Sequence, residues 1–203
     1  MDFFFKSISY VLHPLIMPLL GVFFYFHKTP RFIPEPIVNA KLFSTALLTL
    51  LLPILVYYLL KTLNKVNSIY LKSTQERKLP LLINSVIITL VVTRIFPVNE
   101  IEELFYFFVG ILFSTLLCFI CALLKIKASI HMLAASGFFM FAIALSIHFK
   151  ININGTIALM LILLGAIASS RLHLKAHNFV ELIVGSIIGF APQLFLFVYG
   201  YSM

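Results

Sequence analysis

The stretch Leu104–Leu124, LFYFFVGILFSTLLCFICALL, runs 21 residues without a charge and stops at Lys125-Ile126-Lys127. An α-helix rises 1.5 Å per residue, so about 20 apolar residues cross a hydrocarbon core about 30 Å thick. A soluble helix of that length would carry a polar face, and this one has none. It reads as a membrane span, and the cations behind it mark where the chain returns to water.

Six further uncharged stretches share this character: Ser7–Phe26, Leu42–Leu60, Leu79–Thr93, Ala128–Phe149, Ile151–Ser170 and Leu182–Met203. Leu79–Thr93 falls short of a full crossing and is expected to extend to Phe96, with Arg94 snorkelling to the interface. Strands of an outer-membrane barrel would be about half as long and would alternate polar with apolar. Composition agrees: with 62% hydrophobic and 11% charged residues, the chain could not cover the surface of a soluble fold. The expected class is all-α, a polytopic transmembrane helical bundle forming one domain over residues 1–203. Six spans are counted directly. Ser7–Phe26 contains His13, Pro14 and Pro18 and is a seventh that either crosses with a bend or re-enters. It is not followed by the small-x-small cleavage site of a signal peptide.

The net charge of +8 sits in the connections. It suits anionic headgroups or phosphorylated lipids, and no nucleic-acid partner is expected. Cys118 and Cys121 form a C-x-x-C inside a span; without a second pair or a flanking turn, they read as small buried hydrophobes. With seven crossings, the N-terminus and the connections 61–78, 125–127 and 171–177 share one side.

Three polar clusters fall on that shared side. The first is Lys72-Ser-Thr-Gln-Glu-Arg77-Lys78-Leu-Pro80, just ahead of the third span. The second is Lys127-Ala-Ser129-Ile-His131, where the fifth span begins. The third is Ser170-Arg171-Leu-His173-Leu-Lys175-Ala-His177-Asn-Phe-Val-Glu181, joining the sixth span to the seventh. Of the 15 Lys and Arg residues, 10 lie on this side and 5 on the other, which by the positive-inside tendency would make it cytoplasmic. Six of the 10 belong to the three clusters, and setting them aside leaves 4 against 5.

His177 and Glu181 are four residues apart and share one helix face. A carboxylate there accepts from one imidazole nitrogen and leaves the other as a lone-pair nucleophile or base. Two histidines, a carboxylate and several cations suit phosphoryl transfer, in which charge on the phosphate oxygens must be stabilised. Lys61, Lys65, Lys125 and Lys175 read instead as membrane anchors, and His13, His27, His148 and His173 as polar caps.

These residues resemble the type 2 phosphatidic acid phosphatase superfamily, the integral-membrane relatives of vanadium haloperoxidases. That family's pattern is K-x6-R-P, P-S-G-H and S-R-x5-H-x3-D. Ser170-Arg171, His177 and Glu181 match the third motif with Glu for Asp; Ser129 and His131 keep half of the second, with Ile130 where the family has Gly. Lys72 and Pro80 are in register with the first, with Leu79 in place of its Arg and Arg77 two residues earlier. The chain also looks like the short membrane branch seen in Bacteroidetes-type bacteria, in its H-P-L-I-M-P, E-R-x-x-P and S-I-H-M stretches. The resemblance implies a lipid-phosphate phosphatase of the bacterial inner membrane, its site facing the periplasm. It implies His177 as the nucleophile that becomes phosphohistidine, Glu181 as its orienting partner and His131 as general acid. Arg171, Lys72, Ser129 and Ser170 would hold the phosphate with help from Arg77, and neither metal nor cofactor would be needed. The expected partners are a lipid-phosphate substrate and membrane lipids, with oligomeric state left open. The alternative, favoured by the departures in the first two motifs, is a non-catalytic protein that binds or moves anionic lipids with the same face.

Overall fold

The computed structural model describes residues 2–66 and 73–200. Over these the chain is helical: α1 (Asp2–Val11), α2 (Met17–Lys28), α3 (Glu35–Ala46), α4 (Leu52–Thr62), α5 (Thr74–Leu90), α6 (Glu102–Leu123), α7 (Ile130–His148), α8 (Asn154–His173) and α9 (Phe179–Gly200). A short 3-10 turn, Pro14–Ile16, joins α1 to α2. Wide π turns join α3 to α4 (Leu47–Leu51) and end α5 (Val91–Ile95). The result is an all-α bundle with seven helical segments long and apolar enough to cross a membrane, Asp2–Lys28 among them.

The prolines explain where the helices bend. His13 is held extended, as a residue before proline prefers, and its Nδ1 accepts the Leu15 N–H. Pro18, Pro36 and Pro53 fall in the first two positions of α2, α3 and α4, where no backbone donor is needed. The first segment therefore bends at His13–Pro14. Pro97 stands just beyond the π turn that ends α5.

The third segment starts earlier than its apolar run suggests. Ser73 accepts the Glu76 N–H, a helix-start pattern of Ser followed three residues later by Glu. Arg77 and Lys78 thus sit inside α5 rather than ahead of it. Lys72 lies outside the described residues. Four helices end on a residue in the left-handed region: Asn64, Lys125, Lys150 and Lys175, with φ of 55°, 62°, 53° and 49°. After each, the next N–H reaches back five residues: Lys65 to Leu60 O, Ile126 to Cys121 O, Ile151 to Ser146 O and Ala176 to Arg171 O. The tight turns at Asn64, Lys125, Lys150 and Lys175 are thus helix stops.

Helices α7 and α9 run parallel and pack closely along Gly137, Gly185 and Gly189. Gly185-Ser-Ile-Ile-Gly189 is a small-x-x-x-small pair of the kind that lets membrane helices approach. A Cβ on Gly185 would lie 2.5 Å from the Ser129 carbonyl oxygen. This approach sets the first turn of α9 against the first turn of α7, at the end of the bundle that carries the three clusters.

The opposite end holds an aromatic core, with Phe107 stacked on Phe141 at 4.2 Å and Phe96 on Phe108 at 5.1 Å between centroids. Above it Glu103, 1% exposed, accepts from Tyr25 Oη at 3.0 Å and pairs with Arg31 Nη2 at 2.9 Å and His148 Nε2 at 3.4 Å. His148 is therefore more than the polar cap expected of it. Lys41 meets Glu100 and the Ile95 carbonyl beside this group. Cys118 is free and buried with Leu81 and Ala122, as a small hydrophobe would be, and Cys121 is half-buried.

Candidate active site

Asn178 starts α9 by accepting the Glu181 N–H through Oδ1 at 2.9 Å. His177 stands just before the helix and Glu181 in its first turn, and their side chains meet: His177 Nδ1 to Glu181 Oε2 is 2.6 Å. The His177 side chain is 5% exposed. Lys127 approaches the same carboxylate oxygen at 3.7 Å and donates to the Ala176 carbonyl at 2.9 Å.

Burial, the largest influence, lowers the His177 pKa to about 4, and the charges of Arg77 and Lys127 act in the same direction. The hydrogen bond to Glu181 opposes them and is outweighed. Burial thus favours the uncharged ring. With Glu181 ionised, Nδ1 carries the hydrogen and donates it, leaving a lone pair on Nε2.

The other clusters close around this pair. Ser129 caps α7, its Oγ accepting the Met132 N–H at 3.4 Å, and its own N–H donates to the Glu181 carbonyl at 3.0 Å. Arg77, 4% exposed, reaches from α5 and donates through Nη1 to the Ala128 carbonyl at 2.6 Å. Leu79, at the position of the family's arginine, is 38% exposed, so Arg77 is the guanidinium that α5 turns inward. The three clusters that lie far apart in sequence thus touch one another.

Arg171 and Ser170, at the end of α8, face α1. Arg171 Nη1 donates to Ser9 Oγ at 3.0 Å, and Ser170 Oγ, fully buried, donates to the Phe5 carbonyl at 2.7 Å. The Arg171 carbonyl accepts from Ala176 and His177, which fixes the turn carrying the histidine. His131 Nε2 lies 3.3 Å from the Ser9 carbonyl, and its ring meets that of His13 edge-on at 5.5 Å. A carbonyl only accepts, so Nε2 is the protonated nitrogen in this arrangement. Transfer of that proton to a leaving oxygen requires the Ser9 contact to be exchanged for the substrate. His173 is turned away, paired with Asp2 at 2.8 Å and stacked on Phe5 at 4.2 Å.

Ser9 is a contribution that the sequence pattern did not single out, and His13, read there as a polar cap, meets His131 at the site.

Lys127 stands beside the Glu181 carboxylate, Arg77 lies within the reach of its charge, and Arg171 carries through its carbonyl the turn that holds His177. Such a site can hold an anion, offer it a neutral imidazole nitrogen and supply a proton from a second imidazole. Among the described residues no group of three or more His, Cys, Asp or Glu side chains is placed to hold a metal ion. In comparisons with known proteins, no family model, curated protein or solved structure matches the chain.

Proposed function

We propose that the chain is an integral-membrane lipid-phosphate phosphatase of the type 2 phosphatidic acid phosphatase kind. It hydrolyses a phosphomonoester or pyrophosphate lipid: phosphatidate, phosphatidylglycerol phosphate or a polyprenyl pyrophosphate. The observation that carries the reading is the 2.6 Å His177–Glu181 pair, set among Arg77, Lys127, Arg171 and His131 at one end of the bundle. In the proposed reaction, His177 Nε2 bonds to phosphorus as the bond to the leaving oxygen breaks. His131 protonates that oxygen. Water, deprotonated by His131, then displaces the phosphoryl group from His177 and releases inorganic phosphate. Seven crossings would gather the motifs on one side of the membrane, and the family resemblance would make that side the periplasmic face of a bacterial inner membrane.

The test is phosphate release by the detergent-purified full chain without added metal, on those three lipids, with His177→Ala as control. Wild type is expected to release phosphate and His177→Ala is not. Release that survives both His177→Ala and His131→Ala sinks the mechanism.

A second reading, anionic-lipid binding without turnover, draws on one observation. Ser129 and Ser170, two of the expected phosphate ligands, spend hydroxyl contacts on a helix cap and on α1. It requires lipid binding that depends on Arg171 with no phosphate release. Detection of a phosphohistidine would eliminate it.

A further inference from the structure

The residues that resemble the phosphatase motifs come from α5, α7, α8 and α9 and the turns beside them; none comes from the first segment. Yet one residue of α1 touches three of them, Arg171, His131 and Ser170. The Ser9 hydroxyl receives Arg171 Nη1 at 3.0 Å, and the Ser9 carbonyl faces His131 Nε2 at 3.3 Å. Ser9 and Arg171 are both buried, so neither contact is a surface accident.

The direction of the hydroxyl chain is fixed by its end. Ser9 Oγ and Ser170 Oγ are 2.7 Å apart, and a hydroxyl has one hydrogen to give. Ser170 gives its hydrogen to the Phe5 carbonyl, which can only accept. Ser9 must therefore give its own to Ser170, which leaves Ser9 Oγ as acceptor toward Arg171. The order runs one way: Arg171 N–H to Ser9, Ser9 O–H to Ser170, Ser170 O–H to Phe5 O. No member can reverse without leaving a buried donor facing a donor.

A guanidinium on a long side chain has many rotamers, and an anion site needs one of them. The bend at His13–Pro14 separates α1 from α2, so α1 lies against the end of α8, where Arg171 is, while α2 packs on α7. We infer that Ser9 is a positioning residue of the anion site, orienting Arg171 through this one-way hydroxyl chain with Ser170. The first segment is then a structural wall of the site as well as a span. The inference rests on the phosphatase reading, because it gives Arg171 a phosphate to hold.

The experiment uses the full chain in detergent, with two readouts: dissociation of inorganic phosphate, and KM and kcat for phosphatidate hydrolysis. The variants are Ser9→Ala, Ser9→Thr, Ser170→Ala and Ser9→Ala with Ser170→Ala. A hydrogen bond to a charged group is worth enough that Ser9→Ala should weaken phosphate binding and raise KM about tenfold, with kcat changed less than about threefold. Ser9→Thr keeps the hydroxyl and should restore both values to within about twofold of wild type. The double variant should be no weaker than Ser9→Ala, since the two serines act in one chain. A loss of general packing would lower yield and thermal midpoint without this split between KM and kcat, and threonine would not rescue it selectively. If Ser9→Ala binds phosphate and turns over as wild type does, the positioning role is overturned and the phosphatase reading stands. If wild type itself neither binds phosphate nor releases it from lipid, the phosphatase reading fails and this inference fails with it.

Discussion

The two ends of the bundle treat their charges differently. At the aromatic end, Arg31 and Lys41 meet carboxylates, Glu103 and Glu100. At the motif end, Arg77, Lys127 and Arg171 donate to the Ala128 carbonyl, the Ala176 carbonyl and the Ser9 hydroxyl, and Glu181 is engaged with His177 as well as Lys127. A carbonyl or hydroxyl satisfies a donor without cancelling its charge. The aromatic end is therefore a self-neutralising clasp, tying the turn after α2 to α6 and α7. The motif end bonds its cations to backbone carbonyls and a hydroxyl as well. Under the phosphatase reading, this is the end where an anion would sit.

The largest effects should separate the ends cleanly. His177→Ala should lower phosphate release at least about a thousandfold while leaving the thermal midpoint within a few degrees. Glu103→Ala should do the reverse. It removes a buried acceptor shared by Tyr25, Arg31 and His148, and should cost about 2–3 kcal/mol of stability. That figure allows for Arg31, 44% exposed, turning to water. Turnover per folded molecule should stay within about threefold of wild type. Chemical denaturation in detergent and initial rates on one preparation check both. If Glu103→Ala stops turnover without lowering stability, the two ends do not divide the work.

Gly185 tests the same division through the backbone. Gly185→Ala puts a methyl 2.5 Å from the Ser129 carbonyl and must push α9 from α7, at about 1–3 kcal/mol. Glu181 rides on the displaced turn, so the rate should fall as well. Gly155, in the first turn of α8 at the other end, has open space within 4 Å of where a methyl would stand, and Gly155→Ala should leave rate and stability essentially unchanged. Equal losses at both glycines would mean the close approach is not what sets the site.

Much of this was legible in the sequence, for local reasons. Apolar run length marked six of the helical segments as spans and the first, Ser7–Phe26, as one that either crosses with a bend or re-enters. The four-residue spacing of His177 and Glu181 gave their contact, because a helical turn enforces it. Arg77 was recoverable because it sits two residues from the expected arginine, and the outward exposure of Leu79 fits that substitution. The start of α5 was misplaced because hydropathy alone was followed past Ser73 and Glu76, whose spacing signals a helix cap. Ser9 and Glu103 were not legible. Ser9 acts on residues 122 and 162 positions away, and Glu103 gathers groups from three separate segments. Single-sequence spacing carries no record of such pairings.

The titration of His177 sharpens the electrostatic half of the comparison. Its pKa stands near 4 because of burial and the charges of Arg77 and Lys127. A nucleophilic imidazole must be neutral, so it loses function as pH falls through its pKa and keeps it above. Lys127→Met removes one cation and should move the titration upward, toward the usual histidine range. Nuclear magnetic resonance of ring-labelled histidine, read against His177→Ala for assignment, tracks this without turnover. An unchanged titration would leave burial and Arg77 as the causes and remove Lys127 from the field at the site.

The smallest effect concerns the left-handed lysines. Lys150 and Lys175 end α7 and α8 with φ of 53° and 49°, a region that costs a side-chain-bearing residue about 1–2 kcal/mol and glycine almost nothing. Glycine also has more freedom to lose on folding, so the net gain from Lys150→Gly should be only about 0.5–1 kcal/mol, with no change in rate. Lys175 differs in its neighbours: Ala176 and His177 come directly after it, and both are bonded back to the Arg171 carbonyl. The same substitution there should give a similar gain in stability and a fall of a fewfold in rate, because the more flexible turn holds His177 less firmly. Identical behaviour at the two positions would show that the Arg171 carbonyl alone fixes His177. A rate loss confined to Lys175→Gly would show that the restricted backbone of a lysine is part of how the motif end is built.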